Sequence, residues 1–431
     1  MKPSASPTCL GKQEKDGKNH LNKGKKASDV AIGHYDICIV GGGIQGCGTA
    51  LLSALNGYSV ILVEQQVLGW ATSSRSSKLI HGGLRYLQTG QFKLVRECLK
   101  ERKWMLDNLP ELVQPNWFYI PIYKNSHHPA WQIHVGLLLY RLLAGCDHFS
   151  RFRRVPRRDW SGEFPGLNTN GLKAVYAYQD AQTDDRKLTR FIAGRCKEHG
   201  AHIMEHCRFV GAEQQAGSKA PLHFRIELLD NKNEIRTVGA TVIVNAGGPW
   251  INPVLDTIKT DTPLRRQKYD LVQGAHIFCT PQLAGHCFYL EAPDDHRAVF
   301  ILPYQGKTLV GTTEMLFSGD PAGPQPTQQE IDYLQRTVKA HFPDYHYSIK
   351  GSFAGLRVLP KSRKSAFRRS RKTQIRSEQQ VISLYGGKLT SWRVSAIKVL
   401  KLVEAVLGER NKVNPDDLFI PRGACHLPHT T

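Results

Sequence analysis

The ten cysteines of this chain form no recognisable metal-binding or disulfide pattern. The sequence contains no CxxC pair and no group of cysteines and histidines at the spacing of a zinc site. We therefore expect neither a metal site nor a disulfide framework. The cysteines are interpreted as reduced and largely structural.

Long apolar runs are missing as well. The apolar segment 131–144 is too short to span a bilayer, and His134 and Arg141 interrupt it. The N-terminal residues contain neither the apolar segment of a secretory signal nor the arginines of a typical transit peptide. We expect a cytoplasmic protein.

Acidic residues are few: 37 of them stand against 58 lysines and arginines, which gives a net charge of +21. Such an excess predicts phosphate-rich partners, whether anionic lipid, nucleic acid or a phosphorylated substrate. The absence of an RNA-binding motif, and of interleaved aromatic and basic residues, argues against nucleic acid.

Two basic clusters lie outside the N-terminal tail. One, residues 151–158, follows the apolar segment 131–144. That pair is either a helix in a membrane interface with arginines at the lipid headgroups, or a core helix followed by a solvated loop. The first alternative predicts peripheral contact with an anionic membrane on its cytoplasmic face. The other cluster, residues 361–372, is either a solvated loop or part of an active site.

A chain of 431 residues is expected to divide into two or more domains. Residues 1–34 carry seven lysines against three acids and almost no large apolar residues. A segment of that composition cannot bury enough surface to fold, so we predict a disordered basic tail.

The segment from Tyr35 to Glu64 has the order of a dinucleotide-binding unit. An apolar run ends at Gly41, and the glycines of the GxGxxG pattern are Gly41, Gly43 and Gly46. They suit a tight turn, close approach to a pyrophosphate and close packing of helix on strand. A second apolar run ends in Glu64, where such units place the acid that binds a ribose. Helices are predicted over residues 44–56 and 93–109.

Two further strands run into paired glycines, at Asn245-Ala-Gly-Gly and at Tyr385-Gly-Gly-Lys388. A strand that ends in this way indicates close approach of a ligand. A helix is predicted to begin near Leu389, and its N-terminus can stabilise an anion. The polar stretch 71–86 has neither helical nor strand periodicity, which favours a ligand-lining loop.

These junctions predict an α/β protein, α+β overall. They indicate a Rossmann-like nucleotide-binding domain that is assembled from discontinuous segments and accompanies an antiparallel-sheet substrate domain. Strand-like runs at 298–302 and 308–311 are assigned to the antiparallel sheet. The predicted division is: 1–34, tail; 35–115, 181–261 and 353–431, nucleotide-binding domain with a short C-terminal tail; 116–180 and 262–352, substrate domain.

The motifs together resemble the FAD-dependent glycerol-3-phosphate dehydrogenases, within the D-amino acid oxidase-like flavoproteins. The resemblance covers roughly residues 35–405 and depends most on Ala71-Thr-Ser-Ser-x-Ser-Ser-Lys-Leu-Ile-His-Gly-Gly-Leu-Arg-Tyr86. Gly-Gly-Gly-Ile at 41–44 and Gly-Gly-Lys-Leu-Thr at 386–390 add to it. Many family members continue into a helical C-terminal domain, of which this chain has little, so dimerisation and quinone access are expected to differ.

The resemblance implies oxidation of sn-glycerol 3-phosphate to dihydroxyacetone phosphate, with electrons passing through FAD to a quinone or another acceptor. It implies catalytic roles for His276, Arg357 and Arg85, with His276 as the base that takes the C2 hydroxyl proton. Alternatively, Arg357 stabilises the alkoxide and another group takes the proton. The implied substrate-binding residues are Arg85, Tyr86, Arg357, Arg376 and Lys388, since arginine binds phosphate through two oxygens at once.

The implied FAD contacts come from all three glycine junctions and from the serine-rich loop, with Lys388 stabilising the reduced flavin. They are Gly41, Gly43, Ile44, Gln45, Gly46, Glu64, Gln65, Thr72, Ser73, Ser74, Ser76, Ser77, Leu79, His81, Gly82, Gly83, Ala246, Gly247, Gly386, Gly387, Lys388, Leu389 and Thr390.

Two other functions fit part of the sequence. An FAD-dependent oxidase or dehydrogenase of an amino acid or a 2-hydroxy acid would use the arginines for a carboxylate. A flavoprotein that has lost catalysis and binds membranes would account for the charge alone.

Overall fold

The computed structural model of this chain describes residues 31–215, 223–283, 285–362, 369 and 371–419. Within them, nineteen strands form two sheets. Numbered along the chain, the strands are β1 (Ala31–Val40), β2 (Val60–Val63), β3 (Leu79–Ile80), β4 (Val113–Tyr123), β5 (Phe152–Val155), β6 (Leu172–Thr183), β7 (His202–Met204), β8 (Arg208–Gln215), β9 (His223–Leu229), β10 (Ile235–Asn245), β11 (Ile258–Lys259), β12 (Tyr269–Thr280), β13 (Cys287–Glu291), β14 (Ala298–Tyr304), β15 (Lys307–Gly311), β16 (Met315–Phe317), β17 (Ser348–Pro360), β18 (Gln374–Glu378) and β19 (Val381–Tyr385).

The same residues form eight α-helices and several short 3₁₀ turns. The helices are α1 (Ile44–Leu55), α2 (Phe92–Asn108), α3 (Ala130–Leu143), α4 (Trp160–Glu163), α5 (Asp185–Glu198), α6 (Ile251–Asp256), α7 (Gln328–His341) and α8 (Trp392–Leu407). The predicted helices at 44–56 and 93–109 are confirmed as α1 and α2. The helix predicted to begin near Leu389 begins three residues later, because residues 388–391 form a hydrogen-bonded turn first.

The first sheet has the strand order β11-β8-β9-β10-β1-β2-β7, with β19 beside β10 and β18 beside β19. Its centre is parallel: β1 pairs with both β2 and β10, and β19 pairs with β10 in the same direction. All four residues of β2 are buried, as expected for a parallel strand covered on both faces. Helix α1 is buried on nearly every side and packs against α5 and α8. Its sequence of mostly small and apolar residues explains that position.

The second sheet has the order β16-β12-β15-β14-β13-β4-β6-β3, with β17 beside β12 and β5 beside β6. Its pairs are antiparallel except β4 with β13. The strand-like runs predicted near residues 300 and 310 are confirmed as β14 and β15. The predicted fold class is confirmed: α/β overall, with a discontinuous parallel sheet and a mainly antiparallel one.

The two sheets draw on alternating segments of the chain: β1, β2, β7 to β11, β18 and β19 lie in the first sheet, and β3 to β6 and β12 to β17 lie in the second. Strand β17 remains in the second sheet as far as Pro360, although residue 353 was predicted to begin a nucleotide-binding segment. Strand β1 begins at Ala31, inside the predicted tail, because its early residues already pair with β10. Residues 1–30 of that tail lie outside the described residues.

Candidate active site

A cavity of about 650 Å³ lies where the two sheets meet. The carboxyl ends of β1, β2, β10 and β19 open into it, as do side chains of the second sheet. A crevice at the carboxyl ends of parallel strands, where the chain leaves to both sides of one strand, is the usual ligand position in an open α/β sheet.

One side of the cavity, here called the nucleotide wall, is formed by Gly41, Gly43, Ile44, Gln45, Glu64, Gln65, Ala246 and Gly247. Gly41 has a φ of +109°, and a Cβ there would lie 2.6 Å from the carbonyl oxygen of Ala246. A Cβ on Gly46 would lie 1.9 Å from the carbonyl oxygen of Gly41. Gly46 therefore serves the packing of α1 against the turn, behind the cavity surface.

The N-terminus of α1 faces this wall without a side-chain cap. Its N-cap residue is Gly43, and the first turn carries no acidic residue. The amide of Ile44 donates to Ser73 Oγ at 3.0 Å. An uncapped helix N-terminus beside a glycine turn is suited to an anion such as a pyrophosphate.

Glu64 stands at the end of β2 with both carboxylate oxygens engaged. Oε2 accepts from the amide of Gly42 at 2.7 Å, and Oε1 accepts from the amide of Gln66 at 2.9 Å. Burial raises the pKa of Glu64, and these backbone hydrogen bonds oppose that rise. A carboxylate has about four acceptor positions in all, so these backbone hydrogen bonds leave room for a ribose hydroxyl.

Most hydroxyl groups of the serine-rich loop form hydrogen bonds with other protein groups. Ser73 accepts from Ile44, as above, and Ser74 Oγ donates to the carbonyl oxygen of Trp70 at 2.9 Å. Ser76 Oγ donates to Asp185 Oδ2 at 2.7 Å. Ser77 Oγ lies 2.9 Å from His276 Nε2. These hydrogen bonds fix the conformation of the loop.

A buried ion pair fixes the same loop. Lys78 is 5% exposed and adopts a positive φ of 59°, and its Nζ contacts Asp185 Oδ1 at 2.5 Å. Asp185 is completely buried at the start of α5. Lys78 Nζ also donates to the carbonyl oxygen of Ser74 at 2.7 Å. One carboxylate therefore binds the loop at Ser76 and at Lys78.

The other side of the cavity contains a cationic cluster of Arg85, Arg357, Arg371 and Lys388, together with Tyr86 and Glu314. Arg357 Nη2 donates to Thr312 Oγ1 at 3.0 Å. A Cβ on Gly274 would lie 2.6 Å from Arg357 Nη2, so this glycine makes room for the guanidinium. Arg371 forms an ion pair with Glu314.

The charges of this cluster shift one another's pKa values. Burial, and then repulsion by Arg371, lowers the pKa of Arg357 to about 10. Burial alone would raise the pKa of Glu314, but Arg371, Arg85 and Arg357 together lower it. The cluster therefore holds more positive than negative charge, and burial and mutual repulsion lower the pKa values of both Arg357 and Arg371.

Tyr86 lies among these cations. Lys388 Nζ is 3.9 Å from the centre of its ring, and the guanidinium carbon of Arg85 is 5.0 Å from it. Burial acts to raise the pKa of Tyr86, but Lys388, Arg85 and Arg371 outweigh it and lower the value to about 7. Nearby, burial together with Lys388 and Arg85 lowers the pKa of His81 to about 3.

Known proteins with similar sequences are FAD-dependent oxidoreductases, which agrees with a nucleotide-binding cavity. A family model described as FAD dependent oxidoreductase matches residues 36–387. The glycerol-3-phosphate dehydrogenase of Pseudomonas aeruginosa is 37% identical over 390 residues, which is 86% of this chain and 71% of the relative. The aerobic glycerol-3-phosphate dehydrogenase of Staphylococcus haemolyticus is 32% identical over 401 residues, covering 91% of this chain and 71% of the relative.

The chain belongs to the FAD-dependent glycerol-3-phosphate dehydrogenase family, within the FAD dependent oxidoreductases.

Solved structures of the same fold include proteins crystallised with FAD. The glycerol-3-phosphate dehydrogenase from Bacillus halodurans, complexed with FAD, has a TM-score of 0.71 and 25% identity, covering 89% of this chain and 67% of that one. L-alpha-glycerophosphate oxidase from Mycoplasma pneumoniae has a TM-score of 0.68 and covers 89% of this chain and 98% of that one; at 18% identity it bears on the fold alone. The family membership indicated by the sequence motifs is confirmed.

The nucleotide wall fits the FAD of this dehydrogenase family. Gly41 and Gly387 have no Cβ where one would collide with a neighbouring group, and their backbone is therefore open to a ligand. At Gly387, whose φ is +110°, that neighbour is the side chain of Gln45. The uncapped N-terminus of α1 supplies amide donors, and Glu64 supplies acceptors. No cluster of three or more histidine, cysteine or acidic side chains that could hold a metal ion occurs among the residues described.

Most residues that the family resemblance nominated do reach the cavity. Those lining it are Gly41, Gly43, Ile44, Gln45, Glu64, Gln65, Thr72, Ser73, Ser76, Ser77, Leu79, His81, Gly83, Arg85, Tyr86, Ala246, Gly247, Arg357, Gly386, Gly387, Lys388, Leu389 and Thr390. Gly46, Ser74 and Gly82 lie behind it and shape the turn and the loop.

Two nominated residues are placed elsewhere. His276 is 1% exposed and does not line the cavity: its Nε2 lies 2.9 Å from Ser77 Oγ, and its ring stacks on Phe353 with 4.7 Å between the ring centres. Arg376 lies on β18 with an exposed side chain, next to a separate small cavity that it shares with Glu378. The structure does not bring Arg376 to the cationic cluster.

Arg371 takes the place in the cluster that Arg376 was expected to fill. It lies five residues earlier, inside the basic segment 361–372. The sequence contained an indication of this role, because the basic segment 361–372 was interpreted as either a solvated loop or part of an active site. Its contact with Glu314 could not be predicted from the local sequence pattern, because the two residues are 57 positions apart.

Proposed function

We propose that this chain binds FAD along the cavity and oxidises sn-glycerol 3-phosphate to dihydroxyacetone phosphate. Bound FAD would accept the hydride that leaves C2 of the substrate. The observation that carries the proposal is the cationic cluster in the same cavity as the nucleotide wall. A dianionic phosphate requires fixed cations, and arginine provides bidentate hydrogen bonds to phosphate oxygens.

Arg357 and Arg371 are the proposed phosphate ligands, with Arg85 beside them. Glu314 holds Arg371 in place before substrate binds, and Thr312 holds Arg357. Because the pKa of Arg357 is already lowered by burial and by Arg371, an arriving dianion relieves a repulsion as well as forming new hydrogen bonds. Arg376 is left out of this set because of its exposed position on β18.

Lys388 has a different role in the proposal. It lies in the turn before α8, and the carbonyl oxygen of its own residue accepts from Gln45 Nε2 at 3.1 Å. That hydrogen bond joins the cationic cluster to the start of α1. A cation at the junction of the two parts is suited to stabilising negative charge on reduced flavin.

A panel of substrates tests the reaction. Purified holoprotein is assayed with an artificial dye acceptor and sn-glycerol 3-phosphate, the enantiomeric glycerol 1-phosphate, a series of 2-hydroxy acids and a series of amino acids. We expect turnover with sn-glycerol 3-phosphate alone. Turnover with a 2-hydroxy acid or an amino acid, and none with the phosphate, would assign the cluster to a carboxylate and overturn the proposal.

We also propose that electrons pass on to a quinone at a membrane surface. Among the residues described, no helix is long and apolar enough to cross a membrane. Helix α3 instead exposes an apolar stripe of Trp131, Val135, Leu138 and Leu142, which are 65%, 54%, 44% and 58% exposed. Leu137 and Tyr140 on its other face are buried at 1% and 2%.

The surroundings of the stripe favour an anionic lipid surface. The segment that follows α3 exposes Arg151, Arg154, Arg157 and Arg158. A helix that is apolar on its outward face as well as on its buried face, with arginines close by, has the composition of an interfacial anchor. The proposed contact is therefore peripheral, with α3 lying in the interface.

Vesicle sedimentation tests the anchor. Wild type should sediment with phosphatidylglycerol-containing vesicles at low salt, and a Trp131→Ser, Leu142→Ser double variant should stay largely in the supernatant. Phe191→Ser is the matched control, because Phe191 is an aromatic residue 39% exposed on α5. All three proteins keep the basic N-terminal residues. Equal sedimentation of wild type and the double variant would remove α3 from the proposal.

A further inference from the structure

Oxidation of a secondary alcohol requires a group that takes the hydroxyl proton, and His276 is poorly placed for it. Its Nε2 is already engaged by Ser77 Oγ at 2.9 Å. A Cβ on Gly311 would lie 2.1 Å from the imidazole, so backbone closes one side of the ring while Phe353 closes another. Burial, and then Arg357 and Lys78, lowers the pKa of His276 well below its usual value. A proton arriving there would be held weakly.

Tyr86 meets the geometric requirement that His276 does not. Its side chain lines the cavity within the cationic cluster. A Cβ on Gly83 would lie 2.2 Å from the edge of its ring, so backbone and Lys388 Nζ fix the ring from two sides. Arg85 forms a side-chain hydrogen bond with the phenol. The phenol oxygen is therefore held in one place, beside the residues proposed to bind the substrate.

The charged groups around Tyr86 come from several elements. Arg85 adjoins it in the chain, Lys388 precedes α8, Arg371 precedes β18, and Arg357 belongs to β17. Glu314, which pairs with Arg371, opposes them, and Cys98 of α2 also lies close, with its Sγ 3.4 Å from Lys388 Nζ. Burial raises the pKa of Cys98, which keeps that thiol neutral. Positive charge prevails, and it lowers the pKa of Tyr86 to about 7.

We propose that Tyr86, as a phenolate held in the cationic cluster, accepts the proton of the substrate's C2 hydroxyl. The inference rests on the proposed function, which supplies the alcohol and the hydride acceptor. Bound FAD would accept the C2 hydrogen together with its bonding pair. The O–H pair becomes the second bond of the C2 carbonyl, and the proton ends on Tyr86 Oη. Exchange with solvent after product release restores the phenolate.

The first test reads the phenol directly and needs no substrate. Ultraviolet absorbance of wild type and Tyr86→Phe holoprotein is titrated from pH 5 to 9, and the difference between the two gives the ionisation of Tyr86. We expect a phenolate that forms as pH rises through about 7. Tyr289→Phe is the control: Tyr289 lines the same cavity, but burial raises its pKa to about 12, so this variant should keep the transition. A Tyr86 that stays un-ionised up to pH 9 would overturn the inference.

The second test measures flavin reduction by sn-glycerol 3-phosphate in anaerobic stopped flow. The second-order rate constant of wild type should rise with pH and level off above about 7, because only the phenolate accepts the proton. Tyr86→Phe should be slower by about 10²–10⁴-fold and lose that dependence. The protonation of the substrate's own phosphate affects both proteins and cancels in their ratio.

The outcomes separate the two claims. If wild-type flavin is not reduced at all, the proposed substrate is wrong, and the ultraviolet titration still decides whether Tyr86 ionises near neutrality. If Tyr86→Phe keeps the rate and the pH dependence of wild type, the tyrosine is not the proton acceptor. Loss of the dependence in a folded His276→Gln variant alone would assign the proton to the Ser77–His276 pair.

Discussion

The two sides of the cavity are built by different means. The nucleotide wall is mainly backbone at glycine turns, together with the carboxylate of Glu64, and the residues of its first turn lie within six positions of one another, from Gly41 to Gly46. The cationic cluster consists of long charged side chains drawn from the loop at residue 85, strand β17, residue 371 and the turn at residue 388. Under the proposed function, the cofactor would be bound mainly by local backbone, and the substrate by side chains that only the folded chain brings together.

The nucleotide wall therefore acts mainly through its shape, and the cationic cluster acts through its charge. Gly41 acts by what it lacks, since a Cβ would fill the space that a ligand or a neighbouring carbonyl needs. Arg357 and Arg371 act by a charge that the protein compensates only in part, through Glu314. Substitutions should therefore affect assembly on the nucleotide side and substrate affinity on the cationic side.

The largest effect is expected at Asp185, which fixes the loop joining the two sides. Asp185→Asn leaves Lys78 as a buried cation without its counter-charge, and should lower the free energy of unfolding by about 3–5 kcal/mol. Asp184→Asn is the control, because Asn is also a good N-cap and Asp184 is only partly buried. Urea denaturation compares the two. Equal midpoints would show that the ion pair does not hold the loop.

A smaller effect, confined to the substrate, is expected on the cationic side. Arg371→Gln should weaken substrate binding by roughly 1.5–3 kcal/mol, or about 10–100-fold in KM, with FAD content unchanged. Arg376→Gln, five residues away on the exposed edge of β18, should leave KM within about twofold. The reverse result would restore Arg376 to the site and remove Arg371.

The smallest effect is expected from one added methyl group on the nucleotide side. Gly46→Ala forces α1 away from the turn at Gly41 and should cost about 1–3 kcal/mol of stability and lower the ratio of bound FAD to protein. Gly194→Ala is the matched helical control, because a Cβ at Gly194 meets nothing within 4 Å. That variant should gain up to about 1 kcal/mol from helix propensity. Thermal melting and the ratio of FAD to protein in purified samples measure both.

The nucleotide side was largely predictable from sequence because its determinants are contiguous. The order of β1, the glycine turn, α1 and β2 follows directly from apolar runs and glycine spacing between residues 35 and 64. The loop at 71–86 was also recognised as lining the site. In the structure the hydroxyls of Ser74, Ser76 and Ser77 contact protein groups, and the expectation that they also bind flavin or phosphate stays a prediction. Composition gives no indication of a hydroxyl's partner.

The cationic side was only partly predictable because pairing between distant strands decides it. Strand β12 places His276 opposite both Gly311 and Phe353, which closes the ring off from the cavity. The choice between Arg371 and Arg376 depends on where the chain enters β18, and two basic residues five positions apart look alike in sequence. The cation contacts of Tyr86 likewise depend on residues 371 and 388, about 300 positions away.

The most direct test of the whole account is the visible spectrum of the purified holoprotein, recorded without oxygen before and after addition of sn-glycerol 3-phosphate. The account predicts that wild type and Arg376→Gln lose the flavin's visible absorbance band at low substrate concentration, and that Arg371→Gln loses it only at a concentration about 10–100-fold higher. A wild-type flavin band that persists at saturating sn-glycerol 3-phosphate would contradict the claim that the cationic cluster binds this substrate against the flavin.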